Sequence, residues 1–301
     1  MLQMGAHILA RNSRFAPLFI NRHDTLKPIK FELPIPSAQL KSCVLLAGLF
    51  GEELTQVIET LPSRDHTERL LNLDQKIVHG RKIISSSRAD TIPAQNYTIP
   101  GDFSAAAFWI VAGAIQAEAE LILRNTGLNP TRNALLNIMK KMGADVSIEN
   151  EHMEGAEPTG NITVRNSTLK AIDLDPKMIP NCIDELPILT VAMLFADGIS
   201  KISGAEELRH KETDRIMAIS EMLRAVGAKF EEKKDGLIIH GDPDFKFGEA
   251  SFESFHDHRI AMAAAVLSLK SEGMCEVKDG ECAGVSYPGF WEDLEQVSVN
   301  N

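Results

Sequence analysis

The chain has 301 residues, room for two domains at ~150 residues each, and 44% of them are hydrophobic against 24% charged. Lys+Arg 31 against Asp+Glu 42 leaves a net charge of −11, which excludes a nucleic-acid binder held by bulk positive charge and leaves only local basic pockets. The apolar runs 188–196 and 260–269 fall well short of the ~18 residues that a membrane span needs.

Met1-Leu2-Gln3-Met4-Gly5-Ala6 lacks the basic flank and apolar stretch of a secretion signal. Cys43, Cys182, Cys275 and Cys282 form no C-x-x-C pair, so they read as reduced thiols, and the expectation is a cytoplasmic protein. The first pattern along the chain is a repeat. Leu2-Gln3-Met4-Gly5-Ala6 recurs as Lys140-Lys141-Met142-Gly143-Ala144 and as Arg224-Ala225-Val226-Gly227-Ala228. Each copy reads as a helix end, a glycine near the C-cap, then an alternating strand. Apolar spacing predicts helices over 132–141 and 214–225, preceded by turns at Asn125-Thr126-Gly127 and Ile202-Ser203-Gly204. The first copy has no helix before it, so it is either an interrupted unit or a frayed N-terminal turn.

Polar clusters at helix starts come next. Ser37 is placed to cap a helix carrying the apolar run 44–50, a capped end that can also bind an anion. In Pro62-Ser63-Arg64-Asp65-His66-Thr67-Glu68-Arg69, Ser63 or Asp65 can cap, with Glu68 at capping-box spacing, and Arg64 is either a phosphate clamp or one member of a solvated ion-paired face. A polar stretch over 85–95 precedes a strand-like Tyr97-Thr98-Ile99 and predicts domains at 1–99 and 100–301. Asp102 is placed as the N-cap of a small-residue helix.

Asp184 and Glu185 precede an apolar helix over 188–195, where acids suit the dipole and one could turn inward as a proton acceptor. Lys211 and Arg215 stand four apart, as if on one helix face, beside Glu212. That octapeptide is either a surface ion-pair face or a phosphate and proton-transfer site. His256-Asp257-His258-Arg259 opens another helix, and with no further ligand at metal spacing it reads as an anion site. Neither G-x-x-x-x-G-K-[ST] nor G-x-G-x-x-G occurs. Cationic clusters repeated at helix starts suit multiply anionic substrates.

In order, Ser37-Ala38-Gln39-Leu40-Lys41-Ser42, Ser63 to Arg69, Pro100-Gly101-Asp102, Asn129-Pro130-Thr131-Arg132, Ile183-Asp184-Glu185, Leu208 to Arg215, and Asp257-His258-Arg259-Ile260-Ala261-Met262 resemble the 5-enolpyruvylshikimate-3-phosphate synthase family. The resemblance implies an α/β, two-lobed enolpyruvyl transferase fold of repeated βαβαββ units, with the first lobe incomplete. It implies enolpyruvyl transfer from phosphoenolpyruvate to shikimate 3-phosphate by a protein monomeric at full length, with no metal or organic cofactor. Ser37, Ala38, Gln39, Ser63 and Arg64 would hold the shikimate phosphate side. Asp184 would take the 5-hydroxyl proton with Lys211 on the same substrate, and Glu212 would serve the methylene proton. Arg215, His258 and Arg259 would hold phosphoenolpyruvate.

The family's early Lys-Ser-…-Arg, Asn-x-Gly-Thr and Arg-Pro-Met motifs are not present. The expectation is therefore a chain without the family's N-terminal segment, inactive by itself. Val285 stands where some members carry a lysine, and Ala38 with Arg64 resembles the subgroup that often lacks it. The alternatives are a relative of UDP-N-acetylglucosamine enolpyruvyl transferase and a non-catalytic binding module.

Overall fold

The structure is a computed structural model that describes residues 1–13, 15–21, 25–90, 94 and 96–299. It divides into two compact units, Met1–Thr98 with Glu154–Glu157, and Ile99–Met153 with Pro158–Asn301. Of the polar stretch expected over 85–95, Thr91, Ile92, Pro93 and Gln95 lie outside the described residues. Tyr97-Thr98-Ile99, expected as a strand, belongs to none, because no neighbouring strand pairs with it.

Unit 1 opens with the antiparallel hairpin β1 (Ile8–Arg11) and β2 (Phe15–Ile20). A four-stranded sheet follows, made from β3 (Lys30–Glu32), α1 (Ala38–Gly48) and β4 (Thr55–Glu59), then α2 (His66–Leu71), β5 (Gln75–Val78) and β6 (Arg81–Ser86). The sheet order is β3-β4-β6-β5, with β3 parallel to β4 and the other pairs antiparallel. Ser37 caps α1 as expected, its hydroxyl accepting from the Leu40 N–H at 3.3 Å. A side chain at Gly48 would collide with Ser86, so α1 packs close on β6 at that point. The unit's core is small: Val44, Leu45, Val57, Leu71, Leu73 and Ile84.

Unit 2 repeats the same plan. Its first sheet has the order β7-β9-β8, from α3 (Phe103–Ile115), β7 (Glu120–Gly127), α4 (Ala134–Lys141), β8 (Asp145–Glu154) and β9 (Glu157–Arg165). A parallel bridge between Gly101 and Thr126 stands where the first strand of the unit would be. The next copy runs β10 (Leu169–Lys170), α5 (Ile179–Cys182), α6 (Leu186–Leu194), β11 (Ala196–Ile202), α7 (Arg215–Ala225), β12 (Phe230–Lys233) and β13 (Gly236–Gly241). Its order, β10-β11-β13-β12, reproduces that of β3-β4-β6-β5 strand for strand. Parallel β14 (Ala250–Glu253) and β15 (Cys275–Lys278) flank α8 (His258–Ser268), and α9 (Phe290–Val299) ends the described chain.

The repeat has a common local cause. Gly143 and Gly227 sit at φ +94° and +73°, and the following Ala144 and Ala228 N–H groups reach back to Met139 O and Leu223 O at 2.9 and 3.0 Å. That is a helix terminated by a left-handed residue, which glycine adopts without a Cβ penalty. Gly5, at φ +83°, ends a single 3-10 turn over Leu2–Met4 in the same way. Asn72 makes a fourth such end at φ +49°, with Leu73 N–H on Glu68 O at 3.0 Å. This copy lacks the Gly-Ala signature because asparagine substitutes for glycine.

In unit 2, α6 is buried at all nine positions and packs against both α3 and α8. A helix apolar all round has to lie inside a core, and these three form the centre of a cluster several times larger than that of unit 1.

Two outcomes are expected. Asn72→Gly should leave stability within ~0.5 kcal/mol, whereas Asn72→Val should cost ~1–2 kcal/mol in urea unfolding, the penalty of a left-handed β-branched residue. In native-state hydrogen exchange, β4 and β6 amides should open before those of α3, α6 and α8, as the smaller core requires. Equal protection in both units would contradict that ordering.

Candidate active site

In unit 2 the ends of three helical segments bring opposite charges together. Asp184 and Glu185 lie in a 3-10 turn, Ile183–Glu185, directly ahead of α6. Arg215 begins α7, whose N-cap Asp214 accepts from Met217 N–H at 3.0 Å. Asp257 caps α8, its Oδ1 accepting from Arg259 N–H at 2.9 Å. Lys211 precedes α7 in extended backbone rather than sharing a helix face with Arg215, since Asp214 starts the helix only after it.

The centre of the cluster is Arg215, 1% exposed. Its Nε donates to Asp257 Oδ2 at 2.7 Å and its Nη2 to Glu212 Oε2 at 2.6 Å, with a longer bond from Nη2 to Asp257 Oδ1 at 3.4 Å. Its Nη1 reaches Asp184 Oδ1 at 3.4 Å, the longest of its contacts with Glu212 and Asp184. Arg259 Nη1 donates to Asp184 O at 3.0 Å, and its guanidinium lies 3.9 Å from Asp184 Oδ2 and from Glu185 Oε1. Lys211 Nζ lies 3.9 Å from Asp184 Oδ1 and 3.0 Å from Glu207. Asp184 therefore has three cations around it.

Burial and the neighbouring Arg259 lower the pKa of His258, while Asp257 opposes the shift. The ring is thus neutral at pH 7, and the positive charge at this helix start belongs to Arg259. Behind the cluster, Ser104 hydrogen-bonds buried Glu185, and Arg132 Nη2 donates to Ser104 at 3.0 Å and to Asp102 at 2.6 Å. Burial, with Glu185 beside it, pushes the Cys182 thiol up, so it stays protonated.

Unit 1 holds the second group of expected residues. Ser37 and Ala38 are half-buried and Gln39 is exposed at the start of α1. Ser63 is buried, and its hydroxyl donates to Glu59 Oε2 at 3.0 Å, so the Ser63 Oγ proton is committed inward while Arg64, half-buried, follows it. Neither expected cap of α2 forms. Asp65 instead takes Arg69 Nε at 2.8 Å, and Glu68 is drawn to Lys41 Nζ at 2.7 Å. A buried cation is a stronger partner for Glu68 than a terminal N–H.

Sequence reading missed the parts of Asp257, Ser104, Lys41 and Glu59 in these clusters, and it left open which of Asp184 and Glu185 turns inward; Glu185 is the buried one. Lys41 carried a signal: it precedes Val44 and Leu45 by three and four residues, on the core stripe of α1, where a lysine requires a partner. A cavity of about 550 Å³ elsewhere in unit 2, lined by Trp109, Leu123, Tyr287 and Val297 among others, contains none of the expected site residues. Among the described residues no group of three or more His, Cys, Asp or Glu is arranged to hold a metal, and no helix is long and apolar enough to cross a membrane.

The fold is that of an enolpyruvyl transferase. A structure of EPSP synthase from Acinetobacter baumannii superposes with TM-score 0.86 at 38% identity, covering 97% of this chain and 68% of that one. The enolpyruvyl transferase NikO from Streptomyces tendae, at 15% identity and TM-score 0.70, shares the fold. Residues 1–294 match the family described as EPSP synthase (3-phosphoshikimate 1-carboxyvinyltransferase). Among curated relatives, the 3-phosphoshikimate 1-carboxyvinyltransferase of Salinibacter ruber is 50% identical over 299 residues, 99% of this chain and 69% of its own length. That of Endomicrobium trichonymphae is 40% identical over 296 residues. The chain belongs to the EPSP synthase family.

Asp257→Asn should cost ~3–5 kcal/mol in urea unfolding, because it leaves the buried Arg215 charge without its main partner. His258 prefers the neutral form in the folded state, so its contribution to stability is full above pH 6.5 and is lost as the pH falls through its lowered folded value. The pH dependence of unfolding should therefore flatten below pH 6.5 in His258→Gln. An unchanged profile would place His258 outside this linkage.

Proposed function

We propose that this chain transfers the enolpyruvyl group of phosphoenolpyruvate to the 5-hydroxyl of shikimate 3-phosphate and releases phosphate. Family membership supports the reaction. The observation that carries the residue assignment is one guanidinium, Arg215, in contact with both Asp184 and Glu212. A proton acceptor and a proton donor held by the same cation suit an addition that needs both at once.

In this reading the 5-hydroxyl oxygen attacks C2 of phosphoenolpyruvate as Asp184 takes its proton and Glu212 protonates C3. The resulting tetrahedral adduct then loses phosphate, which carries off the proton held by Asp184, and the C3 proton returns to Glu212 as the methylene re-forms. Glu212 is 53% exposed and can exchange that proton with water. Arg259 and Arg215 Nη1 hold the phosphoenolpyruvate anion, with neutral His258 beside them, and Lys211 accompanies Asp184 on the hydroxyl-bearing substrate. Fixed cations aimed at the developing charge do the work that a metal does elsewhere. Ser37, Ala38, Gln39, Ser63 and Arg64 take the shikimate phosphate side.

The chain spans 69% of the length of its Salinibacter ruber relative. Phosphate release from phosphoenolpyruvate and shikimate 3-phosphate measures the transfer. In a polypeptide of the relatives' full length, Asp184→Asn should lower kcat by ~10²–10⁴ with little change in substrate affinity. Arg259→Ala should weaken phosphoenolpyruvate by ~1.5–3 kcal/mol and shikimate 3-phosphate far less. An unchanged kcat would remove Asp184 from the mechanism, and equal weakening of both ligands would reassign Arg259.

A further inference from the structure

Lys41 is 0% exposed, and so is its partner Glu68, while Glu59 is 2% exposed. Three acceptors surround its ammonium: Glu68 Oε1 at 2.7 Å, Glu59 Oε2 at 3.0 Å and the Ser63 carbonyl at 3.3 Å. Its Nζ donates hydrogen bonds to Glu59 Oε2 and the Ser63 carbonyl and meets Glu68 as a close ion pair. Lys82 Nζ, 3.8 and 3.7 Å from Glu59 and Glu68, balances the second negative charge from the solvent side. The network joins α1, the end of β4, the 60–65 connection, α2 and β6.

Stability does not explain such a network, because well-packed apolar residues in the same volume generally serve as well or better. Lys41 lies wholly inside this network with no exposed surface, so any part it has in a site runs through a neighbour. Its bond to Ser63 is the informative one. Lys41 holds the Ser63 carbonyl while Glu59, which it orients, takes the Ser63 hydroxyl at 3.0 Å. Ser63 is therefore gripped by backbone and side chain at once, and the next residue is Arg64.

We propose that Lys41 is a positioning residue that, with Glu59, clamps Ser63 so that the Ser63-Arg64 segment is held ready for the phosphate of the phosphorylated substrate. The inference rests on the reading above that this segment receives that phosphate. Glu59 and Lys41 act through Ser63, and the clamp sets affinity for the phosphorylated substrate rather than the rate of the chemical step.

The test uses an active enzyme of the relatives' full length and compares three variants. Lys41→Met alone strands two buried carboxylates, so the working variant is Lys41→Met with Glu68→Gln, which leaves Glu59 balanced by Lys82. This double variant should raise KM for shikimate 3-phosphate by ~10–100-fold, the usual effect of removing a group that orients a ligand-binding residue. KM for phosphoenolpyruvate and kcat should stay within ~3-fold, and Lys41→Arg, which keeps charge and donors, should recover part of the loss. Arg64→Ala is the control for the underlying reading. If Arg64→Ala raises KM for shikimate 3-phosphate and the double variant does not, the clamp is wrong and the reading stands. If neither raises it, the reading fails and the clamp with it. Equal effects on both substrates, or a lowered Tm with binding intact, would make Lys41 a structural residue only and overturn the proposal.

Discussion

Arg215 and Asp257 form a buried ion pair at the first residue of one helix and the N-cap of another, and the charged cluster of unit 2 is organised from that contact. Asp257 does two jobs with one carboxylate, capping α8 through Arg259 N–H and receiving the Arg215 guanidinium. With Nε committed, the planar fork of Arg215 has fixed directions left, and these meet Glu212 and Asp184. The separation and orientation of Asp184 and Glu212 thus follow from a bond that neither of them makes. Burial makes the arrangement demanding, since removing any one partner leaves an uncompensated charge in a poor dielectric.

The repeated βαβαββ unit explains why these residues meet at helix starts. In each complete copy a helix follows a strand, so the first helical turn carries unpaired N–H groups and a favourable dipole for negative charge. Unit 1 uses one such start at α1 and unit 2 uses those of α7 and α8. The two units differ in how they fill the space behind. Around Arg215, carboxylates and cations alternate next to a large apolar cluster, whereas in unit 1 the Lys41 network replaces much of the core. Unit 1 also leaves the whole of β2 exposed, including Phe15, Leu18, Phe19 and Ile20.

Much of this was legible before any coordinates. Helix–Gly-Ala–strand junctions announced the repeat because glycine at a left-handed position is a local requirement, independent of tertiary context. Ser37 and Asp102, expected as caps, do cap their helices, again a matter of neighbours in sequence, while the caps made by Asp214 and Asp257 emerge only in the structure. Long-range pairing was not legible. Asp65 and Glu68 had capping spacing, yet Arg69 and Lys41 claimed them, because a charged partner in a buried setting outweighs a backbone N–H. Lys211 and Arg215 had helical spacing, but the Asp214 cap separates them. The role of Asp257 depends on a residue 42 positions away, which no local pattern could reveal.

The claim that one guanidinium–carboxylate pair sets the catalytic carboxylates is tested most directly by single-turnover chemistry in Asp257→Asn at full enzyme length, under conditions where the protein remains folded. The account predicts that shikimate 3-phosphate affinity changes little while the chemical step slows by ~10²-fold or more, since Arg215, which joins Asp184 and Glu212, is no longer held in place. A variant that is folded, binds both substrates and turns over at the unmodified rate would contradict it.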